Sequence, residues 1–466
     1  MADGRVINVT ELVDKQKFGL FHFKLMAWLF LILVLDGYDL LAASLAAPEL
    51  IKNWHLAAPG FTPPPLTGAF MGFLDWIGMP VAPLTGALTS SLFGIMVGAI
   101  IFGWVGDRFG RKATILVAAT LFSLATIGCA LAMNLDELTI FRFLCGVGIG
   151  GVMPNTISLA AEMAPKGVQA TLIILMFTGT PAGSSLPGPI AAWVVPHYGW
   201  QMIFWIGGII PAIIVLVLIF VLPESIKFLA QDDRRRDKAA KVARQIDPSL
   251  EIGPDDRFVV DHMMPDRKAS WLELFRAPFS LITPLLASLF VINFLVLYFM
   301  NNWIPVVIGQ AGGSESLGIW TSTTFSAAGA LGGVVLSRFV DKMGLVPVVF
   351  LFALAVPVIA SFGYAAAYPA IMILVAALGG ACVVGLQFGL NATSGMIYPT
   401  HIRSNGVGFC FGVGRFGAIV GPIIGGGLIQ MKMPIQEMFI WASLPMAVGA
   451  IFCFVLTRLQ KRAELG

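Results

Sequence analysis

The sequence predicts an all-α integral membrane protein of about twelve transmembrane helices in two pseudo-symmetric six-helix halves. Three observations predict it. Of 466 residues 57% are apolar and 12% charged, about half the charge of a soluble domain. Apolar runs of spanning length, about 20 residues, recur along the whole chain. Motifs near residue 107 return 234 residues later.

The spans read as 26–47, 84–105, 113–133, 138–161, 170–195 and 201–222, then 281–308, 316–336, 345–365, 369–394, 406–430 and 436–457. This divides the chain into an N-terminal segment (1–25), a first half (26–222), a central loop (223–280), a second half (281–457) and a tail (458–466). With the N-terminus inside, the 29 Lys and Arg fall almost wholly on the cytoplasmic side; Lys52 and Lys432 lie outside, and Arg142 and Arg415 within spans. That bias is the one the positive-inside rule describes, and it reads both termini as cytoplasmic; the membrane expected is an inner (plasma) membrane. In the N-terminal segment Val9, Leu12 and Val13 are spaced for a short amphipathic helix on the inner surface. The central loop carries Arg234, Arg235, Arg236, Lys238, Lys241 and Arg244 and reads as soluble, with short helices. The segment 48–83 contains Pro59, Pro63, Pro64, Pro65, Pro80 and Pro83 interleaved with Trp54, Phe61, Phe70, Phe73 and Trp76. Its proline density argues against a continuous helix, leaving an interfacial loop or, alternatively, an external lid or re-entrant segment. The five cysteines and five histidines are scattered, so no disulfide framework, metal site or cofactor is expected. No nucleic-acid partner is indicated, and the chain is expected to act as a monomer.

The repeat has three anchors. Asp107 matches Asp341, Glu162-Met-Ala-Pro165 matches Met396-Ile-Tyr-Pro399, and Gly183 matches Gly417, all at 234. The halves are therefore parallel repeats about an axis along the membrane normal. The first span requires a larger offset. Setting Leu35–Asp39 on Leu297–Asn301 gives 262, with Asp36 opposite Tyr298 and Asp39 opposite Asn301. Two cations break the repeat: Arg142 falls opposite Ala376, and Arg415 opposite Pro181. Function breaks such symmetry more often than packing does.

The segment Gly103-Trp-Val-Gly106-Asp107-Arg108-Phe-Gly110-Arg111-Lys112 resembles the signature between spans two and three of the major facilitator superfamily. Leu138–Gly148 with Arg142 is similar to its fourth-span motif, and Pro223-Glu224-Ser225-Ile-Lys227-Phe228-Leu229 to the motif after span six. Within the superfamily, Asp36-Gly-Tyr-Asp39 and Gly412–Pro422 resemble the first and eleventh spans of the aromatic acid:proton symporters. The resemblance implies import of a benzoate-like acid with protons, the proton being the coupling ion. One departure is Gln169, where the family pattern places an arginine four residues after Pro165; Arg403 keeps it in the second half. The long segment 48–83 is another.

Against this background each candidate has two readings. Charge at membrane depth is costly and marks functional positions. Asp36 and Asp39, three residues apart, share a helix face and read as the proton handle, with Arg142 as their counter-ion or, alternatively, a ligand of the substrate carboxylate. The bland alternative is a static ion pair. Asp39 is the choice for the central cavity, with Asp36 orienting it; which carries the proton stays open. Arg415 suits the substrate carboxylate, because guanidinium binds carboxylates in plane and stacks on aromatic rings; the alternative is an arginine snorkelling to the inner surface. Tyr298, Asn301, Asn302 and Trp303 in span seven, and Gln387 and Asn391 in span ten, are candidates for the ring and its substituents, or for interhelical hydrogen bonding. Gly103, Gly106, Asp107, Arg108, Gly110, Arg111 and Lys112 read as a conformational latch in which glycines let spans two and eleven approach; a topogenic basic cluster explains only part of it. The function expected is proton-coupled import of a small aromatic carboxylate by alternating access, with no enzymatic activity. The alternatives are a sugar or other organic-solute symporter of the same fold, and a transport-like sensor.

Overall fold

The computed structural model describes all residues except 1–4, 57–61, 77–82, 185, 254–255, 261–270, 311–314, 366–367, 432 and 466. Among the described residues, 11 helices are long and apolar enough to cross a membrane. In the first half these are α2 (Leu20–Asn53), α4 (Pro83–Phe109), α5 (Arg111–Leu131), α6 (Leu135–Met163) and α10 (Gln201–Val221). In the second half they are α13 (Phe279–Gln310), α14 (Glu315–Met343), α15 (Val346–Ala365), α16 (Pro369–Ile397), α17 (Arg403–Gln430) and α18 (Ile435–Leu465).

The missing span of the first half is the fifth. The sequence reads it as one helix over 170–195. The structure breaks it into α7 (Gln169–Phe177), α8 (Gly179–Ser184) and α9 (Pro187–Tyr198). Pro181 and Pro187 each remove a backbone donor there, and small residues let the broken helix press on α2. A Cβ on Gly179 would meet the Phe30 carbonyl oxygen at 2.6 Å, and one on Gly183 would collide with that of Val34.

That contact corrects the repeat of the first span. Gly417, the mate of Gly183, presses in the same way on the Val291 carbonyl. Val34 therefore corresponds to Val291, an offset of 257 and not 262. Asp36 stands opposite Asn293 rather than Tyr298, and Asp39 opposite Val296 rather than Asn301. Side-chain matching misses this register because it is set by helix approach at glycine, where no side chain takes part.

The segment 48–83 is not an interfacial loop throughout. Helix α2 runs on to Asn53, and a further helix, α3 (Pro65–Trp76), follows. Proline opens α3, at the position where its missing N–H costs nothing. The next two donors go to another helix: Leu66 N and Thr67 N donate to the Asp136 carboxylate of α6 at 3.1 and 2.7 Å, and the Thr67 hydroxyl at 2.7 Å. Phe70 and Phe73 meet Phe93 of α4 edge-on. Pro59, Phe61, Pro80 and Lys432 lie outside the described residues.

At the opposite end, which we call the basic face, the N-terminal segment does not simply lie on a surface. Strand β1 (Val6–Asn8) pairs in parallel with β2 (Arg257–Val259) of the central loop. Asn8 caps α1 (Val9–Asp14), whose Val9 and Val13 are buried. Both pack with α11 (Ile226–Leu229) and α12 (Arg236–Ile246) in the main hydrophobic core.

Candidate functional site

Two buried clusters lie among the helices, and a third closes the basic face. The first is built on α2 and α6. The Arg142 Nη1 donates to both oxygens of Asp39, at 2.8 and 2.9 Å, and Nη2 donates to the Ser91 hydroxyl of α4 at 3.2 Å. Arg142 is 4% exposed and Asp39 2%. Asp36, one turn earlier, is 3% exposed, and neither of its oxygens has a hydrogen-bond partner among the described residues. It borders a small apolar cavity with Ile32, Phe122, Ile149, Val152 and Pro211. Asp39 and, across the halves, Arg415 lie within electrostatic reach of it. One aspartate is thus paired and the other is not.

The second cluster joins α13, α16 and α17. The Arg415 guanidinium rests against two rings, Phe294 (4.9 Å) and Phe411 (4.7 Å), which meet each other edge-on at 5.6 Å, and its Nη1 donates to the Tyr298 hydroxyl at 2.9 Å. It is 3% exposed, and its Nε has no partner among the described residues. The phenylalanines stand at helical spacing: Phe411 one turn before Arg415, and Phe294 one turn before Tyr298. Beside them Asn293 Nδ2 donates to Gln387 Oε1 at 2.9 Å, and Gln387 Nε2 to Asn391 Oδ1 at 3.0 Å. Of the span-seven candidates, Tyr298 meets Arg415. Asn301 and Asn302 are exposed, Asn302 donating to the Tyr298 carbonyl at 2.8 Å. Trp303 packs against Gly425 of α17.

The third cluster closes the basic face between the halves. Asp107 accepts from the first free donors of α17, Ser404 N (3.1 Å) and Asn405 N (2.7 Å), and from Arg111 Nη2 at 2.8 Å. A carboxylate there satisfies orphan helix donors and meets the positive end of the helix dipole. Arg111 also donates to Glu162 at 2.9 Å and to the Thr400 carbonyl, and Arg403 stands 3.4 Å from Glu162. A Cβ on Gly103 would lie 2.5 Å from the Ser404 carbonyl oxygen, so glycine is what allows this approach. Gly106 faces Asn155 and Ser404 in the same tight seam. Gly110 adopts φ +103, a left-handed value, beside Glu224. The Glu224 carboxylate caps α5 through Arg111 N and Lys112 N, at 2.9 and 3.1 Å. Burial raises this carboxyl above the usual range, and the backbone donors pull it back. Lys112 Nζ donates to the Ile219 carbonyl at 2.7 Å. Arg108 faces outward over Trp104.

The same device recurs in the other half at the 234 offset. Asp341 accepts from Ala170 N (2.7 Å), Thr171 N (3.0 Å) and the Thr171 hydroxyl (2.6 Å) at the start of α7. The charges around it do not recur: Arg111, Glu162 and Arg403 have Leu345, Met396 and Gln169 as mates. Gln169 turns back to donate to the Ala161 carbonyl.

The profile of the Major Facilitator Superfamily matches residues 29–321 and 286–465. The chain belongs to the major facilitator superfamily. Its relatives there include the benzoate transport protein of Acinetobacter baylyi, 31% identical with 97% of this chain and 93% of that protein covered. The gallate transporter of Pseudomonas putida is 30% identical, with 96% and 94% covered. The 4-hydroxybenzoate transporter PcaK of Acinetobacter baylyi is 29% identical, with 91% and 89% covered. The chain thus groups with the superfamily's aromatic acid transporters, and it is a multi-pass membrane transporter rather than an enzyme. Among solved structures, the proton:xylose symporter XylE matches with a TM-score of 0.73 at 16% identity, covering 93% of this chain and 95% of that one, a likeness of fold.

Sequence reasoning missed Asn293, Phe294, Phe411 and Glu162 as members of these clusters, and Asp136 as the anchor of α3. Asn293 had a signal, an amide in an otherwise apolar run. The phenylalanines had little, being two among 35.

Proposed function

We propose that the chain imports a small aromatic carboxylate of the benzoate and hydroxybenzoate class together with protons, by alternating access across an inner membrane, as a monomer. The basic face is cytoplasmic in this reading, so both termini are inside. The observation that carries it is Arg415. A buried guanidinium resting against two phenyl rings, with a tyrosine hydroxyl on one of its donors, is a recognition element for an anion that is also flat and aromatic. The names of the relatives point to the same substrate class.

Proton coupling rests on the contrast between the aspartates. Asp39 has its charge balanced by Arg142. Asp36 has no donor among the described residues, and it faces apolar walls within reach of Arg415, so it is the better carrier of a proton. A substrate carboxylate arriving at Arg415 adds negative charge near Asp36 and favours its protonation. The loaded carrier then buries fewer net charges as the halves rock.

The test is uptake of radiolabelled benzoate and 4-hydroxybenzoate into vesicles under an imposed pH gradient. Wild-type accumulation should collapse with an uncoupler. Asp36→Asn should lose accumulation yet keep exchange of internal for external substrate. Accumulation indifferent to the uncoupler would contradict proton symport.

A further inference from the structure

Asn293 is a buried polar residue to which the proposed mechanism gives no role. It is 0% exposed. Its Nδ2 is used by Gln387, and its Oδ1 is buried without a partner among the described residues. A buried acceptor left unsatisfied costs about 1–3 kcal/mol, so its persistence asks for an explanation.

Its position supplies one. Asn293 immediately precedes Phe294, whose ring carries the Arg415 guanidinium. The hydrogen bond to Gln387 turns Asn293 to the side of α13 that faces α16, next to the helix turn that carries Phe294 and Tyr298. The amide chain behind it fixes its orientation, since Asn391 accepts from Gln387 and Gln387 accepts from Asn293. The free oxygen is what that chain leaves over. The helix register also makes Asn293 the counterpart of Asp36 in the other half. Aspartate and asparagine have the same shape, but only the acid takes up and releases a proton. The Gln387 and Asn391 mates, Met153 and Ile157, are apolar, so the amide chain belongs to the second half alone.

We propose that Asn293 is a specificity-determining residue: its Oδ1 accepts a hydrogen bond from a hydroxyl on the ring of a substrate whose carboxylate is held at Arg415. This rests on the aromatic-carboxylate reading above and deepens it to hydroxylated rings. A neutral acceptor suits the task, because it binds a hydroxyl without repelling the substrate's own charge. Asn391 and Gln387 act as positioning residues that hold the amide in this sense.

The experiment compares half-saturation constants for benzoate, 3-hydroxybenzoate and 4-hydroxybenzoate in proteoliposomes, using the full chain. Wild type should prefer at least one hydroxybenzoate over benzoate. Asn293→Leu should raise the constant for that acid about five- to tenfold, the worth of one net hydrogen bond, with the maximal rate and the benzoate constant within about twofold. Asn293→Asp keeps the acceptor but adds a charge that repels the substrate's own, so it should raise the constants of all three acids while keeping the preference, which holds the test open if the leucine variant fails to reach the membrane. Equal wild-type constants for all three acids overturn the inference and leave the aromatic-acid reading standing. So do an equal rise for benzoate and hydroxybenzoate in Asn293→Leu, or loss of preference in Asn293→Asp. Wild type that transports none of the three removes the functional reading itself, and the inference with it.

Discussion

Asp36 and Asp39 lie three residues apart on one helix and meet opposite surroundings. Asp39 is locked to Arg142 by two short hydrogen bonds. Removing one member of a buried pair strands the other's charge and costs about 3–5 kcal/mol. Asp39→Asn is therefore expected to lower the melting temperature in detergent clearly, and Asp36→Asn to leave it nearly unchanged or raised. Equal destabilisation would show that Asp36 is also held as a charge. A second residue gives a pH test. Lys227, just beyond the sixth span and 8% exposed, has its ammonium pushed down from 10.5 to about 8. Burial is the main cause; Arg403 and Lys166 add repulsion, which Asp14 and Glu162 oppose. Between pH 8 and 10.5 the unfolded chain binds the extra proton, so stability rises with pH across that window. Below it, the burial cost is felt in full. Lys227→Met should raise the melting temperature at pH 7, and the gain should fade as pH climbs past 8. A gain independent of pH would sink this account.

At the scale of elements, α3 is an added helix anchored by one carboxylate from elsewhere in the chain. Asp136 serves both of the first free amides of α3 and a hydroxyl, so one oxygen pair substitutes for a local cap. Asp136→Asn keeps the shape but turns one acceptor into a donor and removes the charge. Hydrogen exchange over residues 65–76 should speed up by about tenfold, matching the loss of roughly 1–2 kcal/mol of charge-assisted bonding, while the transmembrane helices keep their protection. Unchanged exchange would mean that Phe70 and Phe73 alone hold the helix. The broken fifth span is the other element that helical periodicity does not predict. Its prolines and glycines were legible, but their consequence depends on the close approach to α2, where Gly183 meets Val34, 149 residues earlier in sequence.

For the molecule as a whole, the two halves are clipped together at the basic face by two carboxylates related by the repeat. Asp107 and Asp341 each cap the helix of the opposite half. Only Asp107 is backed by Arg111, Glu162 and Arg403. The clips should therefore differ in strength. Asp107→Asn is expected to open this face about tenfold more often, about 1.4 kcal/mol, and Asp341→Asn by less. The readout is the rate at which a polar thiol reagent labels an Ala99→Cys variant, Ala99 being wholly buried beside Gly408 in the seam between α4 and α17. Background is low because the five native cysteines are buried. Equal effects of the two substitutions would deny the asymmetry a role.

The sequence by itself determined the bundle, its two halves and the superfamily, because bilayer thickness and the price of buried charge write those features into local composition. It also pointed to Asp36, Asp39, Arg142, Arg415 and the Gly103–Lys112 latch, since charges and glycines stand out against an apolar background. Only the tertiary structure decided how they sort: Asp39 takes Arg142, Asp36 is left without a donor among the described residues, and Asn293 is its true counterpart. Those pairings follow from helix register and rotation, which are set by carbonyl-to-glycine contacts between segments far apart in the chain and leave no mark in the pattern of side chains.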